Sequence, residues 1–525
     1  MQKPLASLIL ILTLAACAAE PPPSPDLVYG LTLVPSGIDP HIHASAELGI
    51  PLRSVYDTLV YFDEETGTYV PGLATDWTIS ADGTVYTFTL REGVTFHDGT
   101  PFDAEAVRTS FERILEPVNN SAKAAGLLGP VEAVTVLDER TVQLTLSEPF
   151  PPLLDGLSQP YTGIASPAAL ADHDTATYQF NQVGTGPYRF VEYRVNDRLV
   201  LERNPDYTWA PPLTVTDGIP QVERIIFRFF PDPATRITAL ESGDVQVIGE
   251  LFPADARRIQ TGSGLSLQQV SIPGQPQQFF LNTQRPPTDD PLVRQALIIG
   301  TDRQAIASSV FEGYRPIAYG PISAATRYYD ANLAGLYAFD PEQATLLLDT
   351  AGLTDTDEDG WRDRDGQPVV IKLVTPPWGL NPDVAVLLKQ QWETFLNLRV
   401  DIDEVASFPM LSEVAASGDY NAIGLNFFGY DPVLINGFYM TGARLNWSGV
   451  ADAELDQLLA AAQRETNPTA RADLYAQIQR RIMDLALVLP ITDYVNVIGV
   501  DPAVTGLRYD AQGWFPYLLE VDYQP

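Results

Sequence analysis

From Thr84 to Leu90 apolar and polar positions alternate, with Tyr86, Phe88 and Leu90 on one face and Val85, Thr87 and Thr89 on the other. A period of two residues predicts a half-buried strand. A helix is predicted soon after it. Asp103 can accept the orphan amide hydrogens as N-cap, Glu105 sits in the first turn, and Val107, Phe111, Ile114 and Leu115 make an apolar stripe. Val134, Val136, Val142, Leu144 and Leu146 flank a polar Asp138-Glu139-Arg140 turn, which predicts a hairpin. A second hairpin is predicted from Tyr188 to Arg203 around Asn196-Asp197. The C-terminal half is more helical. Asp290 precedes Pro291 at a first helical position, and Val293, Ala296 and Leu297 begin an apolar face running toward Ile306. Asn467 and Pro468 repeat that start before Leu474, Ile478, Ile482 and Leu485, and strand-like sequence returns from Tyr494 to Val500. Strands mixed with helices in both halves predict two or more α/β lobes.

The chain has 525 residues, 45% of them hydrophobic and 19% charged. That is a globular balance, and the length predicts about three domains. Acidic residues number 67 against 32 basic ones, a formal charge of −35 spread along the chain. Such a surface repels phosphate backbones and anionic bilayers, so a nucleic-acid partner is excluded as an expectation. The sole cysteine is Cys17, so there is no intrachain disulfide and no cysteine-rich metal cluster. Lys3, the apolar stretch Leu5 to Leu14 and the sequence Leu14-Ala15-Ala16-Cys17 resemble a bacterial lipoprotein signal, too short to span a bilayer. This predicts a signal peptide over 1–16, lipidation at Cys17, and a proline-rich spacer over 17–26 that holds a body off the membrane.

No GxxxxGK[ST] loop, HExxH helix or GxSxG elbow is present, which removes the usual local devices for nucleotide, zinc-peptidase and serine-hydrolase chemistry. His41 and His43 lie two apart, a spacing that reads as a metal pair, as polar pocket lining or as a plain surface pair. Asp355, Asp357, Asp359 and Asp363 with Gly360 follow the start of a calcium loop, but the twelfth position, which should carry a bidentate Glu, is Gly366. The expectation is a weak Ca²⁺ loop or an acidic hairpin tip, and no other cofactor. Phe427, Phe428, Tyr430, Asp431, Asn436, Phe438, Tyr439, Asn446 and Trp447 lie in one stretch without helical period. Aromatic walls with a few polar tips are what a buried ligand-facing loop displays.

Several segments carry a family likeness: Asp39-Pro40-His41, Val55 to Val60, Gly72-Leu73-Ala74 to Trp77, Tyr86 to Arg91, Phe96 to Phe102 and Ala106-Val107. Gly184 to Tyr188, Asn204-Pro205-Asp206-Tyr207, Val293 to Leu297 and Asp431-Pro432 extend it. Together they resemble the family 5 extracellular solute-binding proteins, lipoprotein receptors of peptide, nickel and related ABC importers. The resemblance implies an α/β, two-lobe periplasmic-binding-protein fold (type II, large cluster C kind) with an extra domain inserted in the first lobe. On this chain it implies a first lobe over 27–65, 188–270 and 497–525, an insertion over 66–187 and a second lobe over 271–496.

It implies a binding protein, not an enzyme: a lipid-anchored monomer of the cell envelope that delivers a small solute, foremost a peptide, to a permease and ATPase complex. Peptide-binding relatives often anchor the amino group on an Asp shortly before the Asp-Pro pair, whereas here the third residue before Asp431 is Phe428. A blocked peptide, an oligosaccharide or a metal chelate therefore stays open as cargo, as do an extracellular sensor and a hydrolase as roles. The expected pocket lining is His43, Glu47, Trp378, Phe428, Tyr430, Asn436 and Trp447, with Asp431 fixing its loop.

Overall fold

The computed structural model describes residues 26–214, 218–262 and 264–525. The expected signal peptide, Cys17 and the spacer through Pro25 lie outside the described residues. No helix among the described residues is long and apolar enough to cross a membrane.

Three sheets organise the chain. A seven-stranded sheet runs in the order Ser266–Ser271, Val495–Val500, Val247–Ile248, Leu27–Leu31, Arg224–Phe229, Arg198–Arg203, Tyr188–Arg194. Leu27–Leu31 is parallel to both neighbours, Leu27 standing opposite Ile225 and Tyr29 opposite Val247. A four-stranded antiparallel sheet takes Ala74–Ile79, Val85–Leu90, Thr141–Leu146 and Val131–Asp138. Both pack on one continuous core cluster, from Leu27 through Phe88 and Phe111 to Leu518, and so form one body. A five-stranded sheet, Arg399–Glu404, Val370–Thr375, Ala422–Gly424, Gln277–Leu281 and Val488–Thr492, is the centre of a second body. Its strands are covered on both faces: Phe279 and Leu281 enter one cluster and Phe280 the other, so successive side chains serve opposite faces.

The expected elements are found with one break. Tyr86, Phe88 and Leu90 are buried while Thr89 is exposed. Asp103 accepts from the Ala106 amide at 3.0 Å to start the helix Ala104–Leu115. Both hairpins form, Val136 opposite Val142 and Arg194 opposite Arg198. The apolar face expected from Pro291 toward Ile306 is two helices, Pro291–Ile299 and Arg303–Val310. Gly300 ends the first, and Asp302 caps the second by accepting from the Ala305 amide at 2.9 Å.

The chain passes between the seven- and five-stranded sheets twice, at 272–276 and at 493–494. Two short crossings between large bodies are the geometry of a hinge.

Candidate functional site

At the first crossing Gly274 forms an antiparallel bridge with Phe428. The Gln275 amide donates to the Phe427 carbonyl at 2.8 Å, the Phe427 amide to Gln275 Oε1 at 3.1 Å, and the Gly429 amide to the Pro273 carbonyl at 3.1 Å. The loop that leaves strand Ala422–Gly424 is thereby stitched to the hinge. It carries two aromatic side chains into the first body. Phe428 lies 4.8 Å from the Tyr494 ring and 5.4 Å from Trp514, packed on the first body's core, and Tyr430 lies 4.7 Å from Phe62. Farther out, Arg464 of the second body pairs with Glu148 of the first at 2.7 Å. The two bodies are shut upon each other.

Asp431 fixes this loop from behind. Its carboxylate receives the Val433 amide at 2.9 Å and two bonds from the Arg471 guanidinium, at 2.6 and 2.8 Å, with both side chains buried. That is a bidentate, charge-assisted pair.

A cavity of about 350 Å³ lies between the bodies, lined by Thr32, Arg236 and Glu250 from one and Phe311, Arg315 and Trp378 from the other. It opens at the C-terminal ends of strands Leu27–Leu31, Val247–Ile248 and Val370–Thr375, where open α/β sheets place ligands. Arg315 stacks 3.9 Å from the Tyr494 ring centre, and the Tyr494 hydroxyl donates to Glu250 at 2.7 Å. The Thr32 hydroxyl sits 2.8 Å from Glu47 and 2.9 Å from Glu250, yet has one proton to give. Glu47 also accepts the Thr32 and Leu33 amides at 3.0 and 2.6 Å. Burial, with the Glu250 charge behind it, pushes the Glu47 carboxyl up to about 7. A second cavity of about 620 Å³ on the other flank of the hinge is lined by Glu64, Ser271, Ala325, Tyr430 and Arg508.

The expected lining residues divide accordingly. Trp378, 40% exposed, and Tyr430 line the two cavities. Phe428 bridges the bodies between them. Glu47 lies one contact behind the first cavity, and its oxygens clamp the chain leaving the first strand. His43 is half-buried against Gly37, its Nδ1 accepting from the Asp39 amide at 3.1 Å. Asn436 and Trp447 stand apart from the gap. Asn436 donates to Gln463 at 2.8 Å within the second body, and Trp447 belongs to the core beside Phe280 and Phe408. Glu250, Arg315, Tyr494 and Trp514 escape sequence reasoning, because no spacing links residues brought together from four separate elements.

His41 and His43 do not converge. His41 is buried with Nε2 on the Gly163 carbonyl at 2.9 Å, and burial lowers its pKa to about 4. In the acidic loop, Asp355, Asp357 and Asp363 bring carboxylate oxygens within 4.8 Å of one another. Asp359 instead turns to Arg399 at 2.5 Å, and one Asp363 oxygen is taken by the Thr356 hydroxyl at 2.6 Å.

A family model for bacterial extracellular solute-binding proteins, family 5 Middle, matches residues 68–449. The nickel-binding periplasmic protein of Escherichia coli K12 is 28% identical over 488 residues, covering 89% of each chain. The probable di/tripeptide-binding protein 5 of Pseudomonas aeruginosa is 29% identical over 507 residues, 91% of this chain and 90% of that one. Among solved structures, NikA from Brucella suis in complex with Fe(III)-EDTA superposes with a TM-score of 0.85 at 26% identity, over 95% of this chain and all of that one.

Proposed function

The chain belongs to the bacterial extracellular solute-binding proteins of family 5, and on that premise we propose that it captures an oligopeptide between two hinged lobes and hands it to the permease of an ABC importer. Its fold is the two-lobe α/β fold of that family, with an extra domain in the first lobe. We take 27–65, 188–270 and 497–525 as the first lobe, 66–187 as the insertion and 271–496 as the second lobe. The crossings at 272–276 and 493–494 support this division, the strand Val495–Val500 pairing with Ser266–Ser271 in the seven-stranded sheet. Cys17 as lipid anchor at the outer face of the membrane is part of the same proposal, as is a monomer.

One observation carries the reading: the loop that leaves the five-stranded sheet is hydrogen-bonded to the hinge and inserts Phe428 between Tyr494 of the second crossing and Trp514 of the first lobe. Anything that positions this loop also positions the lobes. A solute touching both lobes favours the shut state by the difference in its affinity for the two states. Micromolar binding is about −8 kcal/mol, within reach of a few charge-assisted hydrogen bonds of about 1.5–3 kcal/mol each together with aromatic burial.

A second reading, a metal chelate as cargo, is favoured by Phe428 in the place of an amine-binding Asp and by the likeness to nickel-binding and Fe(III)-EDTA-bound relatives. Mass spectrometry of protein purified from its host identifies whatever is retained. Titration calorimetry with that solute is expected to show at least about tenfold weaker binding, about 1.4 kcal/mol, for Phe428→Ala and for Tyr430→Ala. Unchanged affinity in both variants rejects the site.

A further inference from the structure

The basic chemistry of this chain is carried almost wholly by arginine, since only four lysines occur among its 525 residues. Lys372 is paired with Asp419 at 2.7 Å and Lys389 with Glu393 at 2.6 Å. Lys123 is different. Within the helix Ala122–Leu128, among the described residues, it has neither a hydrogen bond nor an ion pair, and its one polar contact is the face of Tyr161, 3.7 Å from Nζ to the ring centre. An ammonium has three protons to donate and a ring face satisfies none of them as a hydrogen bond does.

The platform beneath it is rigid. Tyr161 is fully buried, and its hydroxyl is fixed by the carbonyls of Ser45 and Ala46 at 2.6 and 2.9 Å and by the Gly49 amide at 3.2 Å. The residue before the helix, Ser121, is bonded to the His41 carbonyl. The lysine's helix also abuts Leu153–Leu157, where Gly156 lies so close to the Leu127 carbonyl that a Cβ would come within 2.1 Å of it. That neighbour packs on the strand Val60–Asp63, whose Phe62 meets Tyr430 of the other lobe, and its Asp155 carboxyl is raised to about 7 by burial and by the charge of Asp431. Lys123 keeps part of its surface uncovered, although burial holds its ammonium down to about 7. An uncompensated ammonium so placed is costly unless a negative partner arrives.

We propose that Lys123 is the anion-recognising residue of the solute site, so that the solute carries a carboxylate, delivered to Nζ over Tyr161 as the lobes shut. This rests on the import reading and narrows it. The shared chemistry is a carboxylate, whether from a peptide C-terminus or from an organic chelator. It also places recognition at the anionic end of the cargo.

The paucity of lysine makes the test clean. Reductive ¹³C-methylation of the full chain gives a handful of lysine signals, with Lys123→Met identifying the one of interest. Trialanine, trialanine amide and EDTA with and without Ni²⁺ serve as probes, alongside the solute retained from the host. The assignment predicts that a binding carboxylate raises the titration midpoint of the Lys123 signal by at least one pH unit and leaves the other signals in place. It further predicts that Lys123→Met weakens that solute at least tenfold, that Lys123→Arg restores most of the loss, and that the amide gains nothing from the lysine. Trialanine binding points to a peptide C-terminus, and EDTA binding to a chelator. If the retained solute, or any probe, binds wild type and Lys123→Met alike and leaves the signal unmoved, the assignment falls and the import reading stands. If neither protein binds or retains any solute, the import reading falls and the assignment with it.

Discussion

Replacing Asp431 by alanine is expected to cost about 3–5 kcal/mol of stability, the largest effect of any single polar substitution near the site, because it strands the Arg471 guanidinium in the interior. Arg471 lies between Tyr328 and Tyr475, 5.5 and 5.3 Å from their ring centres, and its Nε donates to the Ala462 carbonyl at 3.0 Å. It cannot swing to water. A buried cation left without its anion carries the full desolvation cost, whereas removing both charges leaves apolar groups that the surrounding rings tolerate. Asp431→Ala/Arg471→Met is therefore expected to be more stable than Asp431→Ala alone. Chemical denaturation of the four proteins of this cycle measures the coupling. Additive single effects would show that the pair does not act as a unit. Solute affinity should fall in the single variant as well, since Asp431 follows Tyr430 directly and caps the turn that orients it.

Gly274→Ala is the second. Gly274 has φ +120°, a region nearly closed to residues with a side chain, and its Cβ would lie 2.5 Å from the Phe427 carbonyl oxygen, 2.6 Å from Phe428 Cα and 2.8 Å from the Gly429 nitrogen. All three are backbone atoms, so no rotamer change relieves the contact. The dihedral alone is expected to cost about 1–3 kcal/mol. Relief of the clash must then push the 427–429 loop off the hinge and with it Phe428. Gly67→Ala is the natural control: its φ is +66° but nothing lies within 4 Å of a built Cβ, so it bears only the backbone cost. Denaturation and calorimetry should show Gly274→Ala destabilised beyond Gly67→Ala and at least about tenfold weaker in solute binding, about 1.4 kcal/mol. Equal behaviour of the two would mean that the loop is not held by the hinge.

What was legible in the sequence is what a local period can encode. Alternation at Thr84–Leu90 and the capped stripe after Asp103 each describe one element against one face of a core, and both formed as read. The apolar face running from Val293 toward Ile306 hides a break, because both helices bury their stripes in the same cluster and the pattern carries across Gly300. The aromatic stretch from Phe427 to Trp447 was recognisable as unusual but not as divided. Its division is made by Asp431, which starts the short helices Pro432–Ile435 and Asn436–Tyr439. Phe428 and Tyr430 before that turn face the other lobe, whereas Phe427 packs on Phe408 and Phe438 and the residues after the turn fold back into the core of their own lobe. Glu47 stands in the expected lining, yet its carboxylate serves two amides of the chain leaving the first strand. Glu250, Arg315 and Trp514 sit on different segments, so their convergence around Tyr494 depends on the crossovers and on lobe closure, which no local pattern records.

On the proposed reading a solute shuts two lobes about the crossings at 272–276 and 493–494. Small-angle scattering tests it directly, using the solute that co-purifies, first removed by partial unfolding and then returned at saturation. The stripped protein is expected to have a larger radius of gyration and, on adding back solute, to fall to the value calculated for the shut arrangement in which Phe62 meets Tyr430. Identical scattering profiles with and without a solute shown by calorimetry to be bound would contradict it.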